Sequence, residues 1–129
     1  MKSLVIAVDF DGTVVEDRYP AIGKPMPFAL DTLKRLHNEG HRLVLWTYRH
    51  GRPLRDAVEF LESQGVVLYA VNCSFPEESE NLDGYSRKIH ADVFIDDRNL
   101  GGFPGWGVVY QQISKNPLPE PPKKKWGLF

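Results

Sequence analysis

Leu4, Val5, Ile6, Ala7 and Val8 form an unbroken apolar run that stops at Asp9, and runs of strand length recur at Leu43 to Trp46, Val66 to Val71 and Val93 to Ile95. Continuous apolar runs with polar ends suit strands covered on both faces, as in a parallel sheet. Between the runs the period lengthens. Ala29, Leu33 and Leu36 share one helical face with Leu30 beside it, and Leu54, Ala57, Val58 and Leu61 fall at i, i+3, i+4 and i+7. Pro25 to Pro27 suits the opening of the first helix and Gly40 its C-terminal cap; Pro53 suits the first turn of the second, which Gly65 closes. Leu82, Tyr85 and Ile89 suggest a further helix, weakened by Gly84, and Gly107 to Tyr110 reads as a fifth strand.

This alternation predicts an α/β fold: a three-layer, Rossmann-like parallel sheet of about five strands with helices on both faces. Right-handed crossovers leave the carboxyl edge of such a sheet open as the ligand crevice. The expected core covers residues 1–113. From Ser114 the chain turns rich in proline and lysine, through Asn116 to Pro122 and Lys123 to Phe129, which predicts a flexible, extended tail over 114–129.

A chain of 129 residues can bury roughly two-thirds of its unfolded surface in one core. Its composition, 42% hydrophobic and 26% charged with a net charge of −1, excludes a disordered acidic chain, a collagen-like fibre and a generally basic nucleic-acid coat. The charge is uneven, because four lysines against one glutamate make the tail positive and leave the core acidic. Cys73 has no second cysteine to pair with, which favours a reducing compartment, and the first apolar run is too short for a signal-peptide core or a membrane span. A cytoplasmic protein is expected, with no membrane partner and no clear nucleic-acid signal.

The acids are concentrated at strand ends. Asp9 and Asp11 follow the first strand in Asp9-Phe10-Asp11-Gly12-Thr13, and Asp96-Asp97 follow Val93-Phe94-Ile95. If these strands are parallel neighbours, three or four carboxylates converge at one edge of the sheet. Such like charge is costly without a cation, and an all-oxygen site suits Mg²⁺. A lone aspartate there is more often a turn or cap residue; two acidic pairs are harder to explain that way.

Those motifs, with Thr47 at the end of the second strand and Lys88 before the fourth, resemble in order and context the four motifs of the haloacid dehalogenase superfamily, over residues 1–113. The resemblance implies a Mg²⁺-dependent phosphomonoester hydrolase. It makes Asp9 the nucleophile that forms an aspartyl-phosphate, and Asp11 the acid and then the base for the leaving alkoxide and the attacking water. It places Mg²⁺ on the Asp9 side chain, the Asp11 carbonyl and Asp96, with Asp97 as supporting or substitute ligand. Thr47 would donate to a phosphoryl oxygen and Lys88 would neutralise charge, with Arg87 its adjacent competitor.

Neither interval that carries a cap domain in many members is long enough for one here. An open crevice implies a phosphorylated substrate that is bulky or macromolecular, or closure by a second subunit in a homo-oligomer. Arg49 and Arg52 either grip a second anionic group or are solvated or paired with Asp56 and Glu59. Two other readings compete: a non-catalytic Mg²⁺-binding scaffold of the same fold, and an aspartate-phosphorylated receiver domain, whose order of motifs disagrees with this chain.

Overall fold

The computed structural model describes residues 2–78 and 86–114. Its elements are β1 (Val5–Val8), α1 (Ala29–Asn38), β2 (Arg42–Leu45), α2 (Gly51–Ser63), β3 (Ala70–Val71), β4 (Val93–Ile95) and α3 (Trp106–Ile113). The strands form one parallel sheet in the order β3-β2-β1-β4. The α/β class and the Rossmann-like layout therefore agree with the sequence reading, with four strands among the described residues in place of five. No helix among them is long and apolar enough to cross a membrane.

The expected fifth strand, Gly107 to Tyr110, lies inside α3. Its β-branched pair reads as strand in isolation, but Trp106 and Val109 stand three apart and both are buried in the main core. The indole of Trp106 also donates to the carbonyl of Thr13 at 2.9 Å. Tertiary packing thus overrides a weak local preference. The third strand is also shorter than its apolar run. Val66 turns into the core while Val67 is 52% exposed, and pairing with β2 begins only where the Tyr69 amide donates to the Leu43 carbonyl.

Pleating divides the strands between two clusters. Ile6, Val8, Leu43, Leu45 and Ile95 face the main core, where α1 contributes Leu33 and Leu36, α2 contributes Ala57 and Leu61, and α3 contributes Trp106 and Val109. Ala7, Val44 and Ala70 face a smaller cluster closed by Ile89. Among the described residues all three helices cover one face, and the helix expected on the other face falls largely on residues 79–85, outside them. Strand order supplies the reason. The steps from β1 to β2 and from β2 to β3 run the same way, so right-handed crossovers put α1 and α2 on one side, whereas the return from β3 to β4 runs opposite and crosses the other side. Ile89 of the expected additional helix is buried there without helical structure, and Leu82 and Tyr85 lie outside the described residues, as does the tail beyond Ser114.

Candidate active site

Register brings the first acids together. Val8 pairs with Ile95, so Asp9 and Asp96 are the first residues beyond neighbouring strand ends, and the Asp9 amide still donates to the Ile95 carbonyl at 3.0 Å. The chain then turns sharply, with the Val14 amide on the Phe10 carbonyl at 2.9 Å and the Gly12 amide on the Val15 carbonyl at 2.7 Å. Gly12 sits at φ +85°, and a Cβ there would stand 2.4 Å from Asp97 Oδ2. Only glycine meets both demands, a left-handed backbone and close approach to a carboxylate.

Asp9, Asp96 and Asp97 each offer an oxygen, all within 4.8 Å of one another. Thr13, fully buried, ties the group: its hydroxyl lies 3.0 Å from Asp9 Oδ2 and 3.2 Å from Asp97 Oδ1, and accepts from the Asp97 amide at 3.0 Å. Burial and the neighbouring Asp96 raise the pKa of Asp9 to about 7. The donor chemistry fits a hard divalent cation, since three carboxylates crowded at a half-buried edge are unfavourable without one. Sequence reasoning assigned no role to Thr13; its signal was its place four residues after Asp9, inside the same turn.

Asp11 does not join this cluster. Arg49 Nε donates to Asp11 Oδ2 at 2.8 Å and Nη2 to Oδ1 at 2.7 Å, a bidentate pair in which the guanidinium is fully buried. The remaining donors of Arg49 reach the carbonyls of Pro20 at 3.0 Å, Pro53 at 3.0 Å and Ala21 at 2.7 Å. The hydrogen bond to Asp11 raises the pKa of Arg49 further above its ordinary range. All five of its N–H donors are engaged within the protein, and its ion pair is with Asp11 and not with Asp56 or Glu59. It fastens the β1 turn, the 17–21 loop and the first turn of α2 to one another. Arg52 is exposed.

Thr47 lies where the sequence placed it, past the end of β2. Its amide donates to Asn72 Oδ1 at 2.8 Å, and its hydroxyl accepts from the Arg49 amide at 3.1 Å, which leaves the hydroxyl proton available. Asp9, Asp11, Thr47, Tyr48, Asp96 and Arg98 line a crevice of about 480 Å³ at the carboxyl edge, with Tyr19 on its wall. Asp97 stands behind it against Gly12 and Thr13. Lys88 and Arg87 are both exposed, and neither lines the crevice. The structure thus brings Asp9, Asp11, Thr47, Asp96 and Asp97 to one edge and leaves Lys88 outside.

No family model matches the chain, and no curated protein does. Among solved structures it is similar to a conserved protein coded by a locus from Bacteroides thetaiotaomicron, at 52% sequence identity and a TM-score of 0.80, covering 87% of this chain and 90% of that one. The chain belongs to the same family as that Bacteroides protein.

Proposed function

We propose that the protein is a Mg²⁺-dependent phosphomonoester hydrolase of the haloacid dehalogenase type, working through an aspartyl-phosphate on Asp9. One observation carries the reading: parallel register holds Asp9 and Asp96 at adjacent strand ends, with Asp97 close enough to share a ligand sphere. Mg²⁺ held by these carboxylates would offset the repulsion between an anionic nucleophile and an anionic substrate.

The chain's own residues supply the rest. An Asp9 oxygen attacks phosphorus and the bond to the leaving alkoxide breaks, with Asp11 giving that oxygen a proton. Water then attacks the phosphoryl group, Asp11 takes its proton, and phosphate leaves Asp9 as a free carboxylate. Arg49 sets the direction of the Asp11 carboxylate, whose second lone pairs stay open for this traffic. Thr13 orients Asp9 from behind, and the Thr47 hydroxyl donates to a phosphoryl oxygen. The crevice is open, which suits a bulky phosphorylated substrate or closure by a second subunit.

A second reading, a metal-binding module without turnover, is favoured by the bidentate pairing of Asp11 with Arg49 and by the position of Lys88 outside the crevice. The test is phosphate release from an aryl phosphate and from a panel of sugar, nucleotide and protein phosphates, with and without Mg²⁺. Hydrolysis is expected only with the metal and is expected to be abolished in Asp9→Asn, because an amide is a poor nucleophile. Mg²⁺ binding by calorimetry with no hydrolysis across the panel would select the second reading.

A further inference from the structure

Acids dominate the crevice wall, with Asp9, Asp11, Asp17 and Asp96 all lining it, so an anionic ligand needs a cation to meet it there. Arg49 also lines the crevice but cannot be that cation. A guanidinium has five N–H donors, and all of them are placed inside the protein, on both Asp11 oxygens and on the carbonyls of Pro20, Ala21 and Pro53. Lys88 and Arg87 line no part of the crevice.

Arg98 is different. It lines the crevice, its side chain is exposed, and among the described residues its guanidinium makes no hydrogen bond or ion pair. Its backbone amide donates to Asp96 Oδ1 at 2.8 Å, which anchors the residue beside the acidic cluster while the side chain stays uncommitted. We infer that Arg98 binds the anionic group of the ligand, the role expected for Lys88. Its planar fork matches the oxygens of a phosphoryl group, and the length of the side chain lets it fold onto a ligand seated at the strand ends. The inference deepens the hydrolase reading and rests on it for the identity of the anion as phosphoryl.

The test is calorimetric titration of inorganic phosphate into the full chain with Mg²⁺ present, comparing wild type, Arg98→Ala, Arg98→Lys and Lys88→Ala. Arg98→Ala is expected to weaken phosphate binding about tenfold or more, as loss of a charge-assisted fork does, with Arg98→Lys recovering part of it. Its melting temperature should match wild type, since the side chain has no partner among the described residues. Lys88→Ala should change affinity by less than about twofold, as a solvent-screened charge outside the crevice does. Unchanged binding in Arg98→Ala, an equal loss in Lys88→Ala, or no phosphate binding by wild type would each overturn the assignment. Phosphate binding that depends on Arg98, in a protein that hydrolyses nothing, would keep the assignment and discard the hydrolase reading.

Discussion

Asp9 and Asp11 are two residues apart on one turn, yet they sit in opposite electrostatic surroundings. Asp9 faces Asp96 and Asp97 across the β1–β4 boundary and has its pKa raised to about 7, with burial as the largest cause. Asp11 faces the β2 side and lies in the fork of a buried arginine. Alternation along an extended chain would send both to the same side, so it is their partners, Thr13 and the Asp96–Asp97 pair for one and Arg49 for the other, that set them apart. One carboxylate is thereby left short of positive charge and suited to recruit a cation, while the other is supplied with one by the protein itself. Pairs of acids whose environments diverge in this way are a recurring means of giving two carboxyl groups two roles.

The contrast is most severely broken by removing the protein's own cation. Arg49→Met should destabilise the fold by about 3–5 kcal/mol, because it leaves Asp11 facing an apolar side chain and frees the carbonyls of Pro20, Ala21 and Pro53. Urea unfolding measures this, and a loss under about 1 kcal/mol would reduce the clamp to an ordinary surface pair. On the Asp9 side, Thr13→Val keeps the shape and removes the hydroxyl that joins Asp9 and Asp97, at a cost of about 1–3 kcal/mol. Mg²⁺ affinity should fall in the same variant; unchanged affinity would show that Thr13 supports the fold and not the cluster.

The smallest effect is a pH dependence confined to Asp9. An acid whose pKa is higher in the folded than in the unfolded state stabilises the fold fully below its unfolded value and loses that contribution as pH rises through the folded value. For Asp9 the window runs from 3.8 to about 7. Without metal, the melting temperature of wild type relative to Asp9→Asn should therefore decline from pH 4 to pH 7.5, and adding Mg²⁺ at pH 7.5 should raise the wild type alone. A difference that stays flat across the window would show that Asp9 is not crowded in the way its neighbours imply.

Much of this molecule is legible locally. The runs Leu4 to Val8, Leu43 to Trp46 and Val93 to Ile95 become strands to within a residue at either end, and the helical faces around Leu33 and Ala57 become α1 and α2, because period and length agree with the tertiary outcome. Gly107 to Tyr110 misleads because two β-branched residues outweigh, in a short window, the spacing of Trp106 and Val109 that packing rewards. The side on which each connection crosses is not legible locally, because nothing in one chain's pattern states the order of the strands, and that order decides the side of each crossover. At the site, the acids after β1 and β4 are visible as motifs. Their meeting depends on β4 joining β1 across 87 residues of sequence separation, as in the pairing of Ile6 with Val93.

By itself the sequence determined the strand ends that present Asp9, Asp11, Asp96 and Asp97, a glycine where the turn allows no side chain, and a threonine past β2. Only the tertiary structure decided which carboxylates share a cluster, that Arg49 closes on Asp11 from 38 positions away, and that Arg98 holds the crevice position expected of Lys88. The physical reason is range. Backbone preference and burial pattern act over a few residues and are written in local order, whereas charge pairing is settled by distance in space, which exists only once the strands have chosen their neighbours.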